Sequence, residues 1–321
     1  MSDRRETVLV AVGGDSPDQW LPEFAQAFPE GDAVWLPDAA PEQIAAADWA
    51  IVWSPEASLL DRLKGVRALF SLGAGVDHLM GAKNLPEGAP IVRYVGRDLT
   101  HRMSEWVVLQ CLLHLRLFRT YERQQSARQW LRPHQPGAEE VTVGLMGLGV
   151  LGQDAAKKLA TIGFRLRGWS RTEKALDGVD CFHGPEQYDA FLAETDILVS
   201  LLPHTPATER LVTLDVLKRL RRDGALGGAF YVNGGRGKTQ IDADIDMALR
   251  NGLLAGASLD VFETEPLPRD HPLWTAPNVF ITPHAAAWSP RSDVVRYVVR
   301  QIRRHRLGEP FENVVDPVLG Y

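Results

Sequence analysis

Gly147, Gly149 and Gly152 are spaced as glycines that cradle a diphosphate. An apolar run, Val141 to Met146, reads as a buried parallel strand and leads straight into Gly147-Leu148-Gly149-Val150-Leu151-Gly152. Gln153 to Ile162 then follows a helical pattern. Gly147 permits a tight turn off the strand, a side chain at Gly149 would block a pyrophosphate, and Gly152 lets the helix pack close to the sheet. The diphosphate would sit on free N–H groups at the helix N-terminus, where the helix dipole favours it. Three glycines in six residues can also be a plain glycine-rich turn. The strand before, the helix after and a second apolar strand from Phe164 to Trp169 favour the dinucleotide reading.

Further residues of reactive type gather at the ends of other apolar runs. Arg236, Glu265 and His284 stand just past consecutive strands. Singly, each has a plainer reading: a surface cation among glycines, a helix-capping acid before Pro266, a buried structural histidine. Together, at corresponding strand ends of a nucleotide-binding domain, they read as a site. After the second strand of that domain an NAD-selective protein would carry Asp or Glu to accept from the ribose 2′-hydroxyl. Here stand Ser170 and Arg171, with Lys174 close by. A carboxylate would repel a 2′-phosphate, whereas an arginine and a hydroxyl can bind one, so NADP(H) is expected in preference to NAD(H). The strand Asp196 to Leu202 ends in Pro203-His204-Thr205-Pro206, placing Leu202 and Pro203 against the nicotinamide end; His204 reads as a loop histidine. Leu72-Gly73-Ala74-Gly75-Val76-Asp77 is a second glycine-rich strand end whose N–H groups could hold a carboxylate, or simply turn the chain.

The elements that must position these residues alternate. Strands are expected at Thr7–Val12, Val34–Leu36, Trp49–Trp53 and Ala68–Leu72, with helices at Pro22–Phe28, Pro41–Ala47 and Leu59–Leu63 between them. Later helices are expected at Leu211–Leu220, Ile241–Asn251 and Ser289–Gly308, and strands at Ala229–Val232, Gly256–Val261 and Phe280–Thr282. Such βα alternation implies α/β architecture, with doubly wound parallel sheets covered on both faces. The longest helical signal, Met103 to Arg132, predicts one helix capped by Ser104, apolar first and polar later, before the break at Pro133–Gly137.

A chain of 321 residues with 45% hydrophobic and 24% charged residues and a net charge of −6 has room for two cored domains. It shows no basic excess for nucleic acid and no apolar run of the ~18 residues a membrane span needs. The polar start, Met1 to Glu6, argues against a signal peptide, and Cys111 and Cys181 read as buried thiols of a reducing cytoplasm. No metal site is expected.

Over nearly its whole length the chain resembles the D-isomer-specific 2-hydroxyacid dehydrogenases, and within them the glyoxylate/hydroxypyruvate reductase A branch. The resemblance rests on the Gly147–Gly152 motif, Asn233-Gly-Gly-Arg-Gly237, Leu259-Asp-Val-Phe-Glu-Thr-Glu-Pro-Leu-Pro268 and Thr282-Pro-His-Ala-Ala286. Leu72–Asp77, Trp169-Ser-Arg-Thr172 and the compact length point to the branch. The resemblance implies a Rossmann dinucleotide-binding domain (101–287) inserted into a flavodoxin-like substrate domain (1–100 and 288–321). It implies reduction of small 2-keto acids by NADPH. Arg236 would grip the substrate carboxylate and carbonyl, His284 would be the general acid, and Glu265 would hydrogen-bond and orient it. Asp260 would lie near the nicotinamide amide. Trp53, the Gly73–Gly75 loop and Trp288 would wall the substrate, with Met103 beside them, and a homodimer would form on the dinucleotide domain. Glu265 speaks against formate dehydrogenase chemistry. Oxidation of another 2-hydroxy acid or of phosphite stays open, as does a binding protein that senses dinucleotides on the same fold.

Overall fold

The computed structural model describes residues 4–82, 84–317 and 319–320, so Met1–Asp3 of the polar N-terminal stretch lie outside the described residues. The described residues up to Asp98, with those from Ser289 onward, form one compact unit, and Leu99–Trp288 form another.

In the first unit, runs rich in valine, leucine and isoleucine make strands β1 (Glu6–Val12), β2 (Gly31–Trp35), β3 (Trp49–Trp53), β4 (Ala68–Ser71) and β5 (Ile91–Arg93). All pair in parallel in the order β2-β1-β3-β4-β5, the doubly wound order of flavodoxin-like sheets. Helices α1 (Pro17–Ala27), α2 (Pro41–Ala45), α3 (Ala57–Leu60) and α4 (Asp77–Met80) make the crossovers. Helix α1 starts earlier than its apolar pattern suggests. Pro17 is pre-set for the first turn, and the Ser16 N–H donates to Gln19 Oε1 at 2.9 Å. Strand β5 escapes the sequence reading because only Val92 of its three residues is buried, so no apolar run marks it.

The second unit is a seven-stranded sheet of β6 (Thr142–Met146), β7 (Arg165–Ser170), β8 (Asp180–His183), β9 (Ile197–Ser200), β10 (Ala229–Asn233), β11 (Leu254–Leu259) and β12 (Val279–Ile281). Its order, β12-β11-β10-β9-β6-β7-β8, is all parallel; counted from β6, it is the Rossmann order 3-2-1-4-5-6 with a seventh strand added. The expected fold class therefore holds for both sheets. Helices α5 (Arg97–Leu115), α6 (Phe118–Ser126), α7 (Val150–Ile162), α8 (Tyr188–Ala193), α9 (Leu214–Lys218) and α10 (Asp242–Arg250) accompany the sheet. Alternating strand residues feed separate apolar clusters: Tyr231 joins Tyr188, Phe191 and Leu217, while Phe230 and Val232 join Val143, Leu145 and Leu159. Residues 171–179, between β7 and β8, contain no helix.

The single helix expected from Met103 to Arg132 is two helices, and the expected cap at Ser104 is wrong. Ser104 lies inside α5, where its hydroxyl contacts the Thr100 carbonyl at 3.0 Å and Asp154 at 2.5 Å. The break comes at Leu117, which takes the left-handed conformation at φ 55°. Side chains on both sides are tied to the sheet and so force the bend. His114 meets Ser258 at 2.9 Å and is fully buried, which pushes its imidazole down to about 3. Arg119 lies over the Phe280 ring at 4.0 Å and donates to the Val279 carbonyl.

After the second unit the chain returns to the first as α11 (Arg291–Arg306), whose buried face includes Val294, Val295, Val298 and Ile302. The segment beyond it edges β5: Val92 bridges Val314 antiparallel, and the Val315 N–H donates to the Ile91 carbonyl at 2.8 Å.

Asp196, fully buried, closes the N-terminal end of the second sheet. It accepts from the Thr142 N–H at 2.8 Å and from Arg221 Nε at 2.7 Å. Removing one partner of a buried pair strands the other, so Asp196→Ala is expected to cost about 3–5 kcal/mol of unfolding free energy. Urea denaturation measures this; a loss below about 1 kcal/mol, the range of exposed pairs, would show that the pair does not anchor the sheet.

Candidate active site

Strand β6 delivers the chain to Gly147, at φ 100°, whose N–H donates to the Trp169 carbonyl at 2.9 Å. Gly149 caps α7, and no acidic residue stands in that helix's first turn. The glycines differ in what they tolerate. A Cβ at Gly152 would overlap the Gly147 carbonyl oxygen, so helix and turn touch backbone to backbone. A Cβ at Gly149 would meet nothing within 4 Å. The protein therefore does not need Gly149 for its own packing, whereas a diphosphate approaching the free N–H groups would. Leu148 is turned inward beneath Gly168, and Val150 is 56% exposed. Leu151 is half-buried. This cradle fits a dinucleotide.

At the end of β7, Ser170 is buried, and its hydroxyl donates to the Thr172 carbonyl at 2.7 Å. That hydroxyl shapes the turn that presents Arg171 and Lys174, both exposed. Leu202, also buried, and Pro203 follow β9, and a Cβ at Gly235 would run into the Leu202 carbonyl oxygen at 2.6 Å. The loops after β9 and β10 are thus in direct contact. His204 lies in the same loop, half-buried, with an Nε2 that has no hydrogen-bond partner.

Arg236, Glu265 and His284 follow neighbouring strands β10, β11 and β12, whose last residues Asn233, Leu259 and Ile281 stand in register. His284 Nδ1 lies 2.6 Å from Glu265 Oε2. The Phe262 N–H donates to Glu265 Oε1 at 3.0 Å, fixing the carboxylate. Burial works to raise the Glu265 carboxyl, but the His284 hydrogen bond and charge, the Phe262 N–H and the nearby Arg236 outweigh it and hold it below the usual carboxylate range. Arg236 is half-buried, and its Nη1 donates to the Gly235 carbonyl at 2.9 Å.

His284 itself sits at φ 51°, a left-handed conformation that costs a non-glycine residue on the order of 1–3 kcal/mol. The buried Asp260 carboxylate holds that turn. Its Oδ1 accepts from the Thr282 hydroxyl at 2.5 Å and from the Ala285 and Ala286 N–H groups at 2.9 and 3.1 Å. The His284 N–H returns a bond to the Asp260 carbonyl at 2.8 Å. Beyond the turn, Trp288 is 60% exposed and lines a cavity of about 270 Å³ with Arg102, Glu105, Trp106, Leu109 and Ala286. Met103 lies beneath the loop after β10, its sulfur 3.1 Å from where a Gly234 Cβ would stand.

In the first unit, Trp53 ends β3, and a Cβ on Gly73 would meet its ring at 2.7 Å. The Trp53 and His78 rings pack edge to face at 4.6 Å. Ala74 and Gly75 continue that loop, and Arg93 Nη1 reaches the Ala74 carbonyl at 3.5 Å. Among the described residues no group of three or more His, Cys, Asp or Glu side chains could hold a metal ion, and no helix is long and apolar enough to cross a membrane.

The sequence reading names Asn233 only as part of a motif and gives it no role; its Oδ1 accepts from the Gly235 N–H at 2.9 Å and so folds the Arg236 loop. Asparagine before two glycines is a readable signal for such a turn. It also missed the link between Ser104 and Asp154, which joins α5 to α7 and has no local signature.

Comparison with known proteins matches residues 108–286 to the NAD-binding domain of the D-isomer-specific 2-hydroxyacid dehydrogenases. A glyoxylate/hydroxypyruvate reductase A of Serratia proteamaculans is 36% identical over 313 residues, covering 95% of this chain and 96% of that protein. A probable 2-hydroxyacid dehydrogenase from Rhizobium etli, in complex with NADP, HEPES and L(+)-tartaric acid, superposes with a TM-score of 0.93 at 48% identity, over 99% of this chain and 100% of that one. An NADPH-dependent glyoxylate/hydroxypyruvate reductase from Sinorhizobium meliloti, in complex with NADP and sulfate, also gives a TM-score of 0.93, at 44% identity over 99% and 100%.

The glycines lead to a paired expectation. Gly149→Val should keep its melting temperature within about 2 °C, because its side chain enters open space, yet weaken NADPH binding more than about tenfold. Gly152→Val should instead lose about 3 kcal/mol or more of stability by overpacking. Thermal melts with fluorescence titration of NADPH separate the effects; undiminished binding by Gly149→Val would refute the diphosphate assignment.

Proposed function

The chain belongs to the D-isomer-specific 2-hydroxyacid dehydrogenase family, and on that premise we propose that it reduces small 2-keto acids, glyoxylate and hydroxypyruvate among them, to D-2-hydroxy acids with NADPH. The observation that carries the reading is the His284–Glu265 pair at 2.6 Å, on strand ends next to that of Arg236. NADPH supplies the hydride that reaches the keto carbon.

The residues of the chain divide the remaining work. The Arg236 guanidinium binds the substrate carboxylate and carbonyl oxygen through its planar donors. Because His284 Nδ1 faces Glu265, its Nδ1–H donates to the carboxylate and Nε2 carries the proton given to the carbonyl oxygen. Glu265, whose charged form its surroundings favour, orients that imidazole and balances its charge. Trp288, exposed beyond the His284 turn, bounds the substrate. Asp260 serves the nicotinamide side through its buried charge. Arg171 and Lys174 take the 2′-phosphate, with Ser170 shaping their turn, so NADPH is preferred and NADH is the poorer donor. The complexes of the Rhizobium etli and Sinorhizobium meliloti proteins with NADP support this preference.

The same reading includes a cytoplasmic homodimer. The free thiols Cys111 and Cys181 suit a reducing compartment. Exposed Leu109, Phe118, Trp130 and Leu131 on α5, α6 and the segment after them give the second unit an apolar surface for a second copy.

Initial rates with glyoxylate test the chemistry. His284→Gln should lower kcat by about 10²–10⁴. Arg171→Ala should raise the KM for NADPH about ten- to hundredfold while leaving NADH kinetics unchanged. Wild-type protein that oxidises NADPH with no small 2-keto acid would overturn the proposal. For the dimer, analytical ultracentrifugation should give twice the chain mass for wild type and a monomer for Trp130→Glu; a monomeric wild type would discard it.

A further inference from the structure

A chain of buried polar side chains runs beneath the site and joins the loop bearing Arg236 to the loop bearing Glu265. Asn233, at the end of β10, is fully buried. Besides accepting from the Gly235 N–H, it donates through Nδ2 to Gln240 Oε1 at 2.7 Å. Gln240 is also fully buried, and its Nε2 donates to Asp242 Oδ1 at 2.8 Å and to the Val261 carbonyl at 3.1 Å. Asp242 and Glu263 then exchange bonds. The Asp242 N–H donates to Glu263 Oε2 at 2.8 Å, and the Glu263 N–H donates to Asp242 Oδ2 at 3.1 Å. Glu263 stands two residues before Glu265.

The backbone adds a second contact between the same loops. A Cβ on Gly237 would overlap the backbone of Phe262, the residue whose N–H holds Glu265. The loops therefore cannot slide past one another without breaking this contact or the polar chain. Every hydrogen-bonding atom of the Gln240 amide is used, so its orientation is determined and a half-made bridge would leave buried polar atoms unsatisfied. A fold that needed only to stay closed could fill this space with apolar side chains at no loss of stability. A polar bridge between two loops that both end in site residues serves geometry instead.

We propose that Gln240 and Asp242 are positioning residues that set Arg236 at its working distance from the Glu265–His284 pair. Neither touches substrate or cofactor; they act through Arg236 and Glu265, so the inference rests on the roles given to those residues above. Gln240→Leu removes the bridge while keeping an apolar side chain of similar size. Misplacement by a fraction of an ångström then appears in the keto-acid step, whereas the diphosphate cradle, which leaves the sheet from β6, is not part of the bridge.

The test is a double-mutant cycle on the full-length protein, with Gln240→Leu, Arg236→Ala and both together, measuring glyoxylate KM, kcat and NADPH dissociation constant. Gln240→Leu is expected to raise the glyoxylate KM and lower kcat by about tenfold each, with NADPH affinity unchanged. In the Arg236→Ala background it should change KM less than about twofold, because the residue it positions is gone. A merely structural role would lower the amount of active protein, and with it kcat, at constant KM. If Gln240→Leu does not fold, Asp242→Asn reads the same link. Gln240 and Glu263 donate to different oxygens of the Asp242 carboxylate, and an amide keeps only one of these as an acceptor, so about a threefold rise in KM is expected. An unchanged KM in the folded Gln240 or Asp242 variant, with Arg236→Ala raising it, overturns the bridge alone. An Arg236→Ala protein with unchanged KM overturns the role of Arg236 and the bridge with it.

Discussion

Asn233, Leu259 and Ile281 lie side by side at the ends of β10, β11 and β12, and the parallel pairing of these strands brings the side chains of the candidate site to one edge. Parallel strands require a crossover after each one, so every strand enters from the same end and every loop leaves at the other. Arg236, Glu265 and His284 are separated by tens of residues in the chain, yet they share an edge because the ladder allows no other arrangement. The Gly147–Gly152 turn leaves the sheet from the end of β6, with β9 between it and β10. The point where the strand order reverses, between β6 and β9, is the crevice that open α/β sheets offer to ligands.

Presenting side chains at strand ends leaves their loops to be shaped, and the unit does this with buried hydrogen bonds. Asp260 holds the left-handed turn at His284, Asn233 folds the turn before Arg236, and the Phe262 N–H holds Glu265. Each partner is an oxygen with its N–H donors already aimed, so each loop has one low-energy shape before any ligand arrives. Preorganised donors and dipoles of this kind are what lower a barrier at a reacting centre, since they need no rearrangement as charge moves.

How much of this was legible in the sequence depends on whether the cause was local. Most strands of the two sheets showed as apolar runs because parallel strands are buried on both faces. The glycine turn showed because three glycines within six residues stand directly between an apolar run and a helical pattern. Strands β5 and β8 lie at sheet edges and have only Val92 buried between them, so no apolar run marks either. The break between α5 and α6 left no trace because Leu117 is neither glycine nor proline; contacts of His114 and Arg119 with distant strands impose it. Ser104 looked like a cap because its residue type favours that position, and a partner fifty residues away, Asp154, overrode the preference. The link of Gln240 and Asp242 to the loop after β11 was hidden for the same reason, since it joins segments about twenty residues apart.

The connection from β7 to β8 has a consequence for how such a protein can change. Residues 171–175 are exposed, and no helix packs over them. Substitutions at exposed positions of this kind seldom alter stability by more than about 0.5 kcal/mol. The side chains proposed to distinguish the two nicotinamide coenzymes therefore stand where mutation meets little resistance from the core, whereas Gly152 is fixed by its contact with Gly147. Coenzyme preference is in this sense an evolvable trait carried on a sterically fixed chassis. Selection on the cell's supply of one reduced nucleotide or the other could retune it without first stabilising the fold.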